Sequence, residues 1–483
     1  MMPEATGIQH MEQLGEQDQQ VRTVAPRLLA LGCVIFALML LLMPLELLIA
    51  LFMATLLAMA TIIDPFIGLL VIVTAPYFMA PQWFPAVADL HLVKLLSLLT
   101  FGSWIWKMTA ARDFTFIRAP HHTPIFFLCL LMAISCVMNP SPTYRDTLPP
   151  VVQMVGMYVV IVNLTRTPKH VNVLVASLII GALFASLVAL YQYKTGTAMF
   201  GHKVMYEGVV RAGGTLVGAN TYCLAVVLVL PVLLGLFLTN RARMPLRYLC
   251  LGASIVILAG VIVSHSRSGL AITLIALMGT AVYVTKGAKE RWPRLIALAV
   301  VFMLLLPLVP QTFWQRAKTS TDVEEVSINN RLAALYAGVR MALDRPLTGM
   351  GLGGFREQFR NYAPPWAGRA MTFHAAHSIY NEALANHGIP AFICFILVLV
   401  GIGRSFAEAH RLASDMNDLW FLLIVRAMVL STVVALAFHA TEGGLYNYFF
   451  WIVAGISAAV RTAAQYAHSQ TKESAEASAE EAA

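Results

Sequence analysis

The run VNVLVASLIIGALFASLVALYQY, Val171–Tyr193, decides the class of fold. Its 23 residues contain no Asp, Glu, Lys or Arg, and a helix of roughly 17–25 such residues crosses a bilayer. Inside hydrocarbon every backbone N–H and C=O has to bond within the protein, which a helix achieves along its own length. Comparable runs recur at Leu28–Met43, Leu45–Ile63, Phe66–Phe78, Leu92–Lys107, Ile125–Met138, Val151–Leu164, Asn220–Leu238, Tyr248–Val263, Gly269–Val284, Leu295–Val309, Ser378–Gly401, Leu419–Phe438 and Tyr446–Val460. The chain is 59% hydrophobic and 12% charged, against about 25% charged for a soluble domain. The expected fold is an all-α polytopic membrane protein of about 12–14 transmembrane helices.

The net charge of +8 does not point to nucleic acid, because no basic stripe interleaved with aromatics lies outside the apolar runs. The basic residues gather instead in Lys107–Arg118, Arg166–Lys169, Arg241–Arg247, Lys286–Arg294 and Arg404–Arg411, as cytoplasmic loops do. That alternation places both termini in the cytoplasm. It leaves Pro81–Asp89, Asn139–Pro149, Thr195–Ala219, His265–Ser268, Gln311–His377 and His439–Tyr446 outside. The layout expected is a tail over 1–27, transmembrane helices over 28–310, an outer loop over 311–377, further spans over 378–464 and a disordered tail over 465–483. The first apolar run shows no cleavage site and reads as an uncleaved span. Six cysteines lie in or beside apolar runs without a CxxC pair, which suits small core residues better than disulfides or a metal site.

The outer loop departs from the charge rule, with Arg316, Lys318, Arg331, Arg340, Arg345, Arg356, Arg360 and Arg369. Long translocated loops escape that rule, so the excess is either neutral or a means of holding an anion. Within the loop, Arg331–Asp344 spaces Leu332, Leu335, Val339 and Leu343 as a helix does, and a helix packed on the membrane domain is expected. Arg345-Pro346 ends it, and Gly349, Gly351, Gly353 and Gly354 make a turn-rich stretch.

Chemistry-bearing residues collect on the outer side. Arg211 stands in RAGGTLVGAN before the span at Asn220, Arg267 in SHSRSGL, and Arg331 at the head of the loop helix. His374–Gly388, HAAHSIYNEALANHG, opens the next span, with His377, Asn381, Leu384 and Gly388 on one helical face. A lone arginine at a membrane surface snorkels or pairs with a carboxylate. Several together suit a diphosphate, because the guanidinium fork is planar and always charged. His377 is either a general base for a hydroxyl or a satisfied histidine at a helix start. No HxxE or paired-carboxylate pattern marks a metal site, so any chemistry is expected to proceed without metal or cofactor. A transporter, the reading from another class, would place its polar residues at mid-membrane in two related halves.

Arg211–Asn220 (RxGG…N), Ser266–Leu270 (SRSGL), Asn330–Phe355 (NRLAALYAGVRMALDRPLTGMGLGGF) and His377–Gly388 (HSxxxxxxxxxG) together resemble the bacterial O-antigen ligase/polymerase superfamily. The wording of His374–Gly388 is also similar to O-glycosylation ligases associated with exosortase systems. The resemblance implies a GT-C-like glycosyltransferase with a large periplasmic loop, in the bacterial inner membrane. It implies an undecaprenyl-diphosphate-linked glycan as donor and lipid A-core, a growing glycan or a protein hydroxyl as acceptor. Arg211, Arg267 and Arg331 would hold the diphosphate, and His377 would activate the acceptor. His374, Asn381 and Asn220 would support them. The chain departs from the ligase pattern after Gly388, where Ile389-Pro390-Ala391-Phe392 stands in place of a second glycine and threonines. That departure bears on the acceptor.

Overall fold

The computed structural model describes residues 45–78, 92–142, 144–197, 205–206, 209–216, 218–239, 241–289, 291–296, 320–367 and 375–482. The chain divides into two units, Met1–Ile63 and Asp64–Ala483. The described part of the first is one apolar helix, α1 (Leu45–Ile63).

The second unit is all-α but for one short hairpin among its described residues. Its helices are α2 (Pro65–Phe78), α3 (Leu92–Ala111), α4 (His122–Met138), α5 (Tyr144–Leu164) and α6 (Pro168–Thr195). Then come α7 (Ala219–Val227), α8 (Leu230–Leu238), α9 (Met244–Val263) and α10 (Arg267–Gly279), which runs on into the π-helical turn Thr280–Val284. The last five are α11 (Ser320–Asp344), α12 (Gly354–Tyr362), α13 (Ile379–Asp415), α14 (Leu419–His439) and α15 (Tyr448–Ala482). The hairpin joins β1 (Met205–Tyr206) to β2 (Val209–Val210), with Met205 opposite Val210.

Seven helical segments among the described residues are long and apolar enough to cross a membrane: Thr147–Leu164, Pro168–Thr195, Ala219–Leu238, Met244–Val263, Arg267–Val284, Ile379–Asp415 and Leu419–His439. Leu51–Ile63, Pro65–Phe78 and His122–Met138 are shorter apolar helices. The protein is a polytopic membrane protein. The expected spans at Leu92–Lys107 and Tyr446–Val460 fall in α3 and α15, outside those seven. Leu28–Met43 and most of Leu295–Val309 lie outside the described residues. Two expectations change at the C-terminal side. Arg404–Arg411 is the last part of α13 rather than a loop. The stretch after Gln470, expected to be disordered, continues α15 to Ala482, because alanine, glutamate and lysine are strong helix formers.

The core lies around α7 and α8, whose residues from Tyr222 to Leu230 are all buried. They pack against α6, α9, α10 and α14, while α13 packs against α4, α14 and α15. The break between α7 and α8 is covered by Ser431 of α14, which donates to the Leu228 carbonyl at 2.5 Å. The basic segments gather at one end of this unit. Arg461 of α15 pairs with Glu408 of α13 and donates to the Arg118 carbonyl at 2.8 Å. Arg426 donates to the Lys286 carbonyl at 3.1 Å, and Arg294 to that of Leu238 at 3.0 Å.

The opposite end is built on a break in α13. Gly388 has φ 80° and ψ 179° inside the helix, a backbone region open essentially to glycine alone. Breaking a helix orphans the carbonyls of the preceding turn, and here the glycine-rich turn after α11 takes them. Met350 N–H donates to Ala385 O at 3.0 Å and Gly351 N–H to Asn386 O at 2.9 Å, while Ile389 N–H donates back to Pro346 O at 2.7 Å. A Cβ on Gly349 would lie 2.5 Å from the Asn386 carbonyl carbon, and one on Gly388 would lie 2.7 Å from Pro346 O. Asn386 closes the junction: its Oδ1 accepts from Phe355 N–H at 2.8 Å and its Nδ2 donates to Tyr446 Oη at 3.0 Å. Gly388→Ala should therefore lower the apparent melting temperature in detergent, by a strain of roughly 1–3 kcal/mol. Gly403→Ala, in a helical position where a Cβ meets nothing within 4 Å, should not. Equal melting of the two variants would show that the contact at Gly388 constrains nothing.

Candidate functional site

The end of the bundle that carries this junction also carries the candidate residues. Arg211 follows β2 directly and leads into a turn clamped to α6. Gln192 accepts from Gly213 N–H at 3.1 Å and donates to Gly214 O at 2.6 Å. The half-buried Arg211 thereby points across to Asn220 at the start of α7, donating to its Oδ1 at 3.4 Å.

Asn220 is the centre of the cluster. Its Oδ1 also accepts from Ser266 Oγ at 2.7 Å, which ties it to the turn before α10, where Ser266 caps the helix by accepting from Gly269 N–H at 3.0 Å. Its Nδ2 donates to Glu442 Oε1 at 2.6 Å, short as charge-assisted bonds are. The same carboxylate oxygen lies 3.6 Å from Arg331 of α11. Asn220 of α7 and Arg331 of α11 thus meet on one carboxylate from the loop after α14, while Arg211 and Ser266 reach it through Asn220. Burial pushes the Glu442 carboxyl above its ordinary value, against the pull of Arg331, the Asn220 amide and Arg211.

The start of α13 joins the same loop. Glu382 is half-buried, and its Oε2 accepts from Gly444 N–H at 2.9 Å and Leu445 N–H at 3.0 Å, just past Glu442. His377, one residue before the Ser378 N-cap, is half-buried and holds φ 47°, an uncommon conformation for a residue with a Cβ. Asn381 is buried and turned onto the loop helix. Its Nδ2 donates to Ala334 O at 2.9 Å and to Ala376 O at 3.2 Å. Its role in the structure is to hold α11 against α13. Arg267 is the first residue of α10 and has an exposed side chain, adjacent to Ser266 of the Asn220 network. His374 lies outside the described residues.

The structure therefore brings Arg211, Asn220 and Arg331 together, and ties the start of α13 to the Glu442 loop through Glu382. Four participants escaped the sequence reading. Glu442 and Glu382 belong to no sequence motif singled out above, and Asn386 and His387 lie inside His374–Gly388 with no pattern that marks them. His387 is a buried structural histidine, with Nε2 2.8 Å from Tyr446 Oη and Nδ1 3.3 Å from Ser135 Oγ. The signal available for Glu442 was the run TEGGLYN on the expected outer side. Among the described residues, no three His, Cys, Asp or Glu side chains group as metal ligands.

A polytopic membrane protein with arginines, an amide and a histidine-bearing helix start gathered at one end of its bundle is the class defined so far. Residues 252–396 match the family model of O-antigen ligase, so that region of the chain is similar to the O-antigen ligases. The matched region holds Ser266, Arg267, Arg331, His377, Asn381 and Gly388, while Arg211, Asn220 and Glu442 lie beyond it. No curated protein matches the chain.

The environment of Glu442 makes a prediction about pH. A carboxyl raised in the folded state supports folding below its unfolded pKa, about 4.3, and loses that contribution as pH rises through the folded value. Melting in detergent across the acid to neutral range should show the wild-type protein losing stability relative to Glu442→Gln as pH rises. Parallel curves for the two proteins would show that burial is not what governs this carboxyl.

Proposed function

We propose that the protein is an O-antigen ligase-like glycosyltransferase. It moves a glycan from undecaprenyl diphosphate to a hydroxyl of lipid A-core or another acceptor, on the periplasmic face of the bacterial inner membrane. The observation that carries this reading is the meeting of Asn220 and Arg331 on one Glu442 carboxylate oxygen, with Arg211 bonded to the same Asn220. Groups that hold one anionic oxygen suit the oxygens of a diphosphate, and Arg267 at the neighbouring helix start suits a second contact. The basic segments at the opposite end support a cytoplasmic side there, so both termini are read as cytoplasmic.

In the reaction, His377 takes the proton of the acceptor hydroxyl, and the hydroxyl oxygen forms a bond to the anomeric carbon. The bond from that carbon to the phosphate oxygen breaks with its electron pair, and the configuration inverts. The arginines offset the charge that builds on the leaving diphosphate, which gives a route that needs no metal. Asn381 and Asn220 act as positioning residues, the first on α11 and the second on the arginines. His374 is retained as a supporting residue.

His377→Ala should reduce transfer by about 10²–10⁴-fold while the purified protein still binds lipid-linked donor. Transfer at the wild-type rate would remove His377 from the mechanism. Arg211→Ala and Arg331→Ala should instead raise the KM for donor, and unchanged donor affinity in both would defeat the diphosphate assignment. Deleting the gene distinguishes a ligase, which leaves lipid-linked polymer, from a polymerase, which leaves single repeat units.

A further inference from the structure

The face of α11 that the leucine spacing marks is not the face that packs. Ala333, Ala334, Ala337 and Met341 are buried toward α12 and α13. Gly338 meets Asn381 so closely that a Cβ there would lie 1.8 Å from its Oδ1. Leu335, Val339 and Leu343 project the other way and are 52%, 40% and 71% exposed. Leu347, in the turn that follows, is 71% exposed.

This bare face continues an exposed apolar surface on α4. Val137 and Met138 end α4, a short apolar helix, with exposures of 81% and 64%. The next residue, Asn139, donates to Thr348 Oγ1 at 3.0 Å and accepts from Arg345. The exposed apolar side of α4 therefore runs into Leu347 and Leu343 with only this polar seam between. The rim has the character of a bilayer interface. Arg340 and Arg345 are exposed, and the exposed Trp366 packs edge-on against Tyr336 at 5.3 Å. Asp344, on the same rim, accepts from Tyr362. Helices with one apolar face and basic flanks lie in the plane of the headgroups, and tryptophan and tyrosine favour that depth.

We propose that α11 is an interfacial helix. Its Leu335–Val339–Leu343 face, with Leu347, rests in the acyl-chain boundary of the leaflet at the arginine end of the bundle, and Arg340 and Arg345 lie among anionic headgroups. The proposal does not depend on the glycosyltransferase reading. If both hold, Arg331 sits at headgroup depth, where a diphosphate stands while its polyprenyl chain stays in the bilayer.

The test uses the full chain in nanodiscs containing phosphatidylglycerol, with nitroxide labels at Leu343→Cys and Leu347→Cys after replacement of the native cysteines. Both labels should be more accessible to oxygen than to a water-soluble nickel chelate, and Asn361→Cys on α12 should show the reverse order. Preferential access to nickel at 343 and 347 would place the face in water. Protection from both reagents would mean that protein covers it. Either result overturns the proposal. A second measurement leaves the cysteines alone. The fluorescence difference between wild type and Trp366→Phe should fall in phospholipid brominated near the headgroup end of its chains. No quenching of that difference would also overturn the proposal.

Discussion

The contact between the glycine turn after α11 and the break at Gly388 is the constraint on which the candidate-site end of the bundle depends. A continuous helix would have buried its own carbonyls and offered nothing to a loop. Because α13 breaks there, Ala385 and Asn386 expose carbonyls that accept from Met350 and Gly351. Each such bond contributes only about 1 kcal/mol net, yet leaving a buried group unmet costs more. The break and the turn therefore require one another. Ser135 of α4 adds a third element, donating to Thr348 O at 2.6 Å and Asn386 O at 2.8 Å. With Tyr446 bonded to Asn386 and His387, the junction fixes α4, α11, α13 and the loop before α15 as one piece.

The candidate site is hung from that piece by carboxylates. Glu382, on the half of α13 before the break, holds the backbone of Gly444 and Leu445, and so sets where Glu442 stands. The two bonds Glu442 makes are unequal. The Asn220 contact at 2.6 Å is well within hydrogen-bonding range, whereas Arg331 at 3.6 Å is an ion pair without a close hydrogen bond. Partly exposed pairs of that kind contribute little to stability. Asn220 is therefore the structural tie, and Arg331 is the partner that an incoming anion can draw away at small cost. That inequality is consistent with a diphosphate-binding role for Arg331 and a positioning role for Asn220.

The fold was legible in the sequence because hydrocarbon imposes a single solution on the backbone, so apolar length alone marks the spans. One end shifted by a few residues where a cap acts, at Thr167 before α6, whereas Asp418 caps α14 at the expected Leu419. The site was half legible. Arg211, Asn220 and Arg331 stood out by residue type and expected side, but their convergence depends on how α7, α11 and the loop after α14 pack, which periodicity does not carry. Glu442 is not legible for the same reason: in the sequence it lies far from each of the residues that it meets in the fold. Asn381 was read as a possible part of the chemistry, and the structure turns it onto Ala334 O.

The leucine stripe of α11 shows most clearly what spacing means in a membrane protein. In water, a periodic row of leucines marks the face that meets the core, and the sequence reading applied that rule. At a bilayer the rule loses its direction, because lipid is as apolar as a core and association there relies on close packing of small residues. The alanine and glycine face, with no hydrophobic signal to announce it, is the one that approaches α13, and it leaves the leucines outward. Arg331 lies between the two faces at the head of the described packing surface, half-buried and paired with Glu442. One helix thus couples protein packing on one side to an apolar surface on the other, with its arginine at the boundary between them.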